Sequence, residues 1–73
     1  MLRKEPTQFG INVRYLREQY GMTRQELAED SGLSASTLNF VENGYTKPSH
    51  DTILSLSDYF EISIDHLMRG ELD

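Results

Sequence analysis

Residues 23–43 read TRQELAEDSGLSASTLNFVEN, and this stretch decides the fold. Thr23, followed three residues later by Glu26, is a capping box in which the hydroxyl and the carboxylate each accept a backbone N–H at a helix start. Gly32 suits the left-handed backbone that ends such a helix, and Ser34 suits the cap of the next one. The stretch therefore predicts two helices joined by a tight turn.

The apolar spacing inside this stretch predicts how the two helices pack. Leu27 and Ala28 face inward from the first helix, while Leu38 and Val41, at i and i+3, face back from the second. Ala28 is small, as required where another helix crosses close behind it. These positions predict two helices that cross steeply over a short turn.

The flanking segments predict three more helices, because glycines divide the chain into short pieces and no piece shows the period-two alternation of a strand. The helices are expected at about residues 7–20, 23–32, 34–43, 49–60 and 63–69. The first carries one apolar stripe, formed by Phe9, Val13, Leu16 and Tyr20. Ser49 and Ser63 are the predicted caps of the last two. We expect an all-α fold of five helices and a single domain over residues 1–73, with its core at about 7–70.

The composition narrows the classes of function. The chain of 73 residues has no Cys, which excludes a disulfide framework and a zinc–thiolate site. No apolar run approaches the roughly 20 residues of a membrane span, so we expect a cytoplasmic protein. The net charge is −5, yet residues 1–47 are neutral and residues 48–73 carry the whole deficit. We expect the acidic last third to face away from any polyanionic partner.

Short motifs beyond the turn extend the pattern over about residues 9–70. They are Leu16-Arg17, Gly21-Met22-Thr23, Glu26-Leu27-Ala28, Gly32-Leu33-Ser34, Ser36-Thr37-Leu38, Glu42-Asn43-Gly44, Lys47-Pro48-Ser49, Phe60, Ile62-Ser63 and Leu67. In this order they resemble the helix-turn-helix of Cro/CI-type regulators, also called the XRE family. The resemblance implies a lambda-repressor-like DNA-binding domain that binds double-stranded DNA sequence-specifically and regulates transcription, with repression the expected outcome.

The same resemblance implies a role for each exposed residue of the motif, with the second of its two helices in the major groove. The implied base contacts are Ala35, Ser36, Asn39 and Phe40. The implied phosphate contacts are Thr23, Arg24, Ser34, Asn43, Tyr45, Thr46 and Lys47. Two positions depart from the family pattern: Arg24 stands where Gln is common, and Phe40 stands where a polar residue is usual. Asn39 suits adenine, while Phe40 suits thymine methyl groups or sugars.

Two further expectations concern pairing. The resemblance implies a structural salt bridge between Arg17 and Glu42.

A single reading helix covers about 4–6 base pairs, too few for specificity in a genome, so we expect a homodimer on a two-fold operator with half-sites about 34 Å apart. Ile64, Met68 and Leu72 are the expected dimer interface, since little core remains for them to fill.

The sequence also bears on classes of function other than DNA binding. An enzyme is excluded by content, because the chain has no nucleophile–base pair, no metal-ligand set and no phosphate-cradling glycine loop. His50 and His66 are predicted to be solvated, and no cofactor, membrane partner or small-molecule site is expected. A protein-binding module of the same fold, antitoxin-like or antirepressor-like, stays open and is favoured slightly by the neutral residues 1–47. The DNA-binding domain of a longer ligand-sensing regulator stays open as well.

Overall fold

A computed structural model describes residues 6–72, and these residues form helices and connecting turns with no strand among them. The elements are α1 (Gln8–Gln19), α2 (Arg24–Ser31), α3 (Ala35–Asn43), α4 (His50–Phe60) and α5 (Ile64–Arg69). The predicted all-α fold of five helices is confirmed, and each predicted boundary lies within about two residues of the observed one.

Every helix begins at a hydroxyl side chain that accepts the backbone N–H three residues further along the chain. These N-caps are Thr7, Thr23, Ser34, Ser49 and Ser63. At Thr23 the capping box is complete, because the Glu26 carboxylate also accepts the Thr23 N–H at 2.8 Å. Such caps each stabilise a helix by about 1 kcal/mol, so short polar residues set these boundaries.

The helix ends follow the glycines with one exception. Gly21, Gly32 and Gly44 have φ of 69°, 81° and 72°, the left-handed conformation that a side chain disfavours. α4 ends instead at Glu61, which adopts the same left-handed conformation, with a φ of 57°, although it is not a glycine. No glycine marks this end in the sequence, so the prediction of a stop near Phe60 rested on the apolar spacing alone.

The core draws on all five helices. Its buried apolar residues are Phe9, Val13, Leu27, Ala28, Leu38, Val41, Leu56, Phe60 and Leu67. The apolar stripe predicted on α1 is wrong at its last member: Tyr20 is 56% exposed. Tyr20 follows the last helical residue, where its ring meets Phe60 edge-to-face with the centroids 5.3 Å apart. It therefore covers the core from outside.

Gly10 sets the distance between α1 and α3. It is buried, and a Cβ at this position would collide with the backbone carbonyl oxygen of Val41. The backbones of α1 and α3 therefore meet directly, with no side chain between them. The sequence spacing did not predict this contact, because Gly10 marks no turn and its partner lies on a distant segment.

A buried amide ties α1 to α5. The Asn12 side chain has no exposed surface, and its Nδ2 donates to the carbonyls of Leu67 at 2.8 Å and Gly70 at 2.7 Å. Its Oδ1 accepts from Gln8 Nε2 at 3.0 Å and from the Leu72 backbone N–H at 3.4 Å. We call this set the Asn12 clamp. It satisfies backbone groups at the end of α5 that the helix itself leaves without partners.

Candidate nucleic-acid interface

The turn between α2 and α3 fixes the relative position of the two helices. The N–H groups of Gly32 and Leu33 both donate to the Ala28 carbonyl at 3.0 Å, which closes the end of α2. Leu33 then packs against the core, and Ser34 starts α3. The buried residues of α2 and α3 therefore meet in one core across a short turn, as their spacing predicts.

The outward face of α3 carries polar and aromatic side chains without a formal charge. Leu38, Val41 and Glu42 point into the protein. Ser36 is exposed, Phe40 is 43% exposed, and Asn39 and Asn43 are partly exposed. The face that holds most of the expected base contacts is therefore accessible to a partner.

Asn39 and Asn43 are coupled to each other on this face. Asn43 Nδ2 donates to Asn39 Oδ1 at 2.9 Å and to the Asn39 backbone carbonyl at 2.8 Å. Because Asn43 is held in this way, its amide orients the Asn39 side chain. The family resemblance implies a phosphate contact for Asn43, and the sequence does not predict this pair.

Ala35 differs from the other expected base contacts in its environment. The family resemblance implies a base contact, which requires an outward side chain, whereas the structure packs Ala35 partly against the core. The physical reason is its helical position: Ala35 lies three residues before Leu38 and seven before Glu42, which are both buried. Only part of its methyl group is left for a partner.

The residues expected at phosphates lie at two places, the helix N-termini and the loop after α3. The hydroxyl oxygens of Thr23 and Ser34 accept the N–H groups of Glu26 at 3.1 Å and Thr37 at 3.0 Å. Tyr45, Thr46 and Lys47 are exposed between α3 and α4. No described contact engages the Lys47 ammonium with a carboxylate.

An ion network lies under the motif and connects three helices. Glu42, whose side chain has no exposed surface, accepts from Arg17 Nε at 2.8 Å and from Arg17 Nη2 at 3.1 Å. Arg17 Nη1 also donates to the Met22 carbonyl at 2.8 Å. Hydrogen bonding to Glu42 raises the pKa of Arg17 above its ordinary range. This pairing holds α1 against α3 behind the outward face.

Arg24 is the third member of the network, which the sequence spacing did not predict. Its Nε donates to Glu42 Oε1 at 3.0 Å, and 36% of its side chain is exposed. Two guanidinium groups therefore share one carboxylate, leaving one positive charge in excess. Arg24 carries that excess to the surface at the first turn of α2, where the helix dipole adds to it.

The three residues expected at a dimer interface do not form one exposed patch. Ile64 is 38% exposed, but Met68 and Leu72 are partly buried and pack against the core. The expectation that little core is left for them is therefore wrong for Met68 and Leu72. The Asn12 clamp explains the difference, since it draws the end of α5 and residue 72 onto α1.

Residues 6–72 show neither a metal site nor a membrane-spanning helix. No group of His, Asp or Glu there is arranged to hold a metal ion. None of the helices described combines the length and hydrophobicity required to cross a bilayer.

α2 and α3 pack against a shared core, a capped turn joins them, and the outward face of α3 is polar and exposed. These features define a helix-turn-helix domain. Residues 13–67 match the helix-turn-helix family. The chain is 29% identical over 63 residues to the uncharacterized HTH-type transcriptional regulator YqaE of Bacillus subtilis, covering 86% of this chain and 54% of that protein. It thus spans about half the length of the curated relatives from Bacillus subtilis that it matches.

Two solved structures share the fold. One is the restriction-modification controller protein C.AhdI from Aeromonas hydrophila, with 34% identity, a TM-score of 0.74, and coverage of 84% of this chain and 92% of that one. The other is the DNA-binding domain of the P22 C2 repressor, with 24% identity, a TM-score of 0.77, and coverage of 99% and 92%. The second likeness is one of fold alone.

The chain belongs to the helix-turn-helix family, whose members among these relatives are transcriptional regulators and not enzymes. The predicted family, the lambda-repressor-like fold and the exclusion of an enzyme are confirmed by this membership.

Proposed function

We propose that this chain binds double-stranded DNA sequence-specifically, as a homodimer on a two-fold operator, and represses transcription by occluding other proteins. The observation that carries the proposal is the exposed outward face of α3, with Ser36, Asn39 and Phe40. Arg24 and Lys47 lie beside it in the chain, on the first turn of α2 and the loop after α3. Such a protein acts on the chromosome, in the cytoplasm.

Base reading is assigned to α3. Asn39 presents an amide that suits the N6 and N7 edge of adenine, and Ser36 suits several bases. Ala35 contributes what remains accessible of its methyl group. The Asn39–Asn43 hydrogen bond supports this assignment, because an amide held in one orientation loses less freedom on binding.

Phosphate contacts are assigned to the helix N-termini and the loop. Thr23 and Ser34 stand at N-termini whose dipoles favour an anion, and Arg24 adds charge at the first of these. Tyr45, Thr46 and Lys47 are the exposed donors of the loop. Asn43 contributes mainly through Asn39, although its place at the end of α3 also lies near this loop.

Dimerisation supplies what α3 lacks. α3 contains no Lys or Arg, so one copy has few charges for a phosphate backbone. A second copy doubles both the phosphate contacts and the base pairs read. Ile64 is the exposed apolar residue of the proposed interface, with Met68 and Leu72 supporting it from the core side.

The test is a selection of bound sequences from random duplex DNA, followed by affinity measurements on the selected site. A two-fold site with half-sites about one helical turn apart is expected. The logarithm of the binding constant should fall linearly with the logarithm of salt concentration, with a slope of a few units. A selection that enriches no sequence, with no duplex binding at low salt, would exclude the proposal.

Matched variants separate the two kinds of contact. Asn39→Ala should relax specificity at one base pair and weaken the selected site by about 1–3 kcal/mol. Lys47→Ala should weaken all duplexes alike. Asp51→Ala, a change on the acidic third of the chain, should alter neither pattern and serves as the control. Equal behaviour of Asn39→Ala and Lys47→Ala on all sequences would contradict the assigned roles.

A protein-binding role is the second candidate, and the neutral charge of residues 1–47 favours it. In that case the outward face of α3 would contact a partner protein. The salt experiment distinguishes the two, because a DNA-binding protein shows the steep linear dependence and a mainly apolar protein contact does not.

A further inference from the structure

An exposed aromatic pair lies where α3 meets the following loop. Phe40 is 43% exposed and Tyr45 is 49% exposed. Their ring centroids are 6.1 Å apart and the planes are inclined by 64°, an edge-to-face contact. The pair therefore leaves apolar ring surface in contact with water, and covering that surface with a partner would be favourable.

Phe40 points to the same side as the expected base contacts. At 100° per residue, it lies one turn beyond Ser36, and it lies opposite to the direction in which Leu38, Val41 and Glu42 enter the core. A partner that lies along the outward face of α3 therefore meets the Phe40 ring together with Ser36.

Tyr45 holds the Phe40 ring in place. The Tyr45 backbone N–H donates to the Phe40 carbonyl at 2.9 Å, so the loop turns back against the end of α3. The Tyr45 ring then covers one edge of Phe40. The ring is thus offered to a partner with fewer accessible rotamers than an isolated exposed Phe, which lowers the entropic cost of a contact.

We propose that Phe40, supported by Tyr45, determines specificity by contacting the C5 methyl group of thymine in the major groove. The inference rests on the proposed function and names the chemistry of one contact within it. The thymine methyl is the apolar group among the base edges of that groove, and the edges of the other bases are polar. The outward face of α3 carries no charged side chain, which strengthens the argument, since an apolar ring supplies binding energy where no ionic contact competes.

The magnitude follows from the burial of one methyl group. Removing it from a fully covered contact should weaken binding about fourfold per half-site, which is the transfer free energy of one carbon converted to a ratio. Deoxyuridine makes this change cleanly, because uracil pairs with adenine and presents the same O4 as thymine. The experiment thus changes one methyl and no hydrogen bond.

The experiment uses the selected duplex, with each thymine replaced singly by uracil, and measures affinity by fluorescence anisotropy. For the unaltered protein, one or two positions per half-site should show the fourfold loss. Phe40→Ala should bind the thymine duplex more weakly and show no further loss at those positions. Tyr45→Ala should reduce the loss, while Tyr45→Phe, which keeps the ring, should retain it.

The control is Tyr20→Ala, an exposed aromatic residue that also makes an edge-to-face contact but lines a cleft with Glu26 and Glu29. Carboxylates repel phosphate, so this variant should keep the full uracil penalty. Circular dichroism establishes that each variant is folded, which is expected for Phe40→Ala because the ring lies outside the core.

Three outcomes overturn the proposal. Uracil at every position without effect on the unaltered protein excludes a methyl contact. A penalty that survives in full in Phe40→Ala assigns the methyl contact to another residue. Failure of the unaltered protein to bind any duplex overturns the proposed function itself, and this result is distinct from the first two because binding of the thymine duplex is measured separately.

Discussion

Two buried polar networks hold α1 to the rest of the molecule, and they differ in charge. The network of Arg17, Glu42 and Arg24 is ionic and joins α1 to α2 and α3. The Asn12 clamp is neutral and joins α1 to α5. The ionic network reaches the surface through Arg24, 36% exposed, whereas Asn12 has no exposed surface. The fold thus uses charge beside the candidate interface and an amide away from it.

The difference has an energetic meaning. A buried carboxylate is costly without its partners, so Glu42 makes the position of α3 depend on two arginines at once. An amide bonded to backbone carbonyls costs less to bury and responds little to salt or pH. We expect a charged partner to influence the first network through Arg24 and to leave the second unchanged.

The largest effect is expected from Glu42→Gln. The change leaves the mostly buried Arg17 guanidinium without a counter-charge, which should lower the free energy of unfolding by about 3–5 kcal/mol. Urea denaturation measures it. Glu18→Gln is the control, because Glu18 pairs with Arg14 at the surface, 54% exposed on each side, and should cost under about 1 kcal/mol. Equal losses of unfolding free energy in both variants would show that the buried Glu42 network stabilises the fold no more than the exposed ion pair.

Asn12→Ala should have the next largest effect. The backbone carbonyl of Leu67 and the N–H of Leu72 lose their partner, and the Gly70 carbonyl keeps only Gln8 Nε2, which should together cost about 2–3 kcal/mol. Amide hydrogen exchange should accelerate at Leu72 and Gly70 more than at Gly32, which the α2 turn protects. Equal acceleration of exchange at all three amides would mean that the Asn12 clamp stabilises the whole fold and not the end of α5 in particular.

Arg24→Ala should have the smallest effect on folding, since the side chain is partly exposed and Glu42 keeps Arg17. We expect a loss of stability under about 1 kcal/mol. DNA affinity should fall uniformly across sequences, and the salt slope should decrease by about one unit. Arg14→Ala, which removes an exposed arginine paired on α1, is the control and should leave the slope unchanged. An unchanged slope in Arg24→Ala would separate the ionic network from the phosphate contacts.

The sequence predicts the elements of this fold well because their signals are local. The five hydroxyl N-caps, from Thr7 on α1 to Ser63 on α5, each bond a backbone N–H only three residues away. The glycines at the ends of α1, α2 and α3 likewise act on the adjacent helical turn. The buried residues of α2 and α3 follow helical periodicity. What these signals predict is therefore the helices, the turn and the outward face of α3.

The rest depends on partners far apart in the chain. Asn12 bonds to carbonyls 55 and 58 residues away, and Arg24 to a carboxylate 18 residues away. Contacts over such separations produce no recognisable periodicity in the sequence around either residue. Tyr20 departs from the predicted stripe because it lies at the end of α1, where the periodicity that separates inside from outside is weakest, whereas Ala35 follows the periodicity of Leu38 and Glu42 toward the core.

The contact between Gly10 and the Val41 carbonyl has a genetic consequence. Every single-nucleotide missense change of a glycine codon introduces a Cβ, and at this position each such change pushes α1 away from α3. A genetic screen for loss of regulation should therefore recover substitutions of Gly10 together with substitutions on the outward face of α3, although Gly10 is buried behind that face. Cellular protein levels would separate the two groups: Gly10 alleles should be depleted by proteolysis, and surface alleles should accumulate normally.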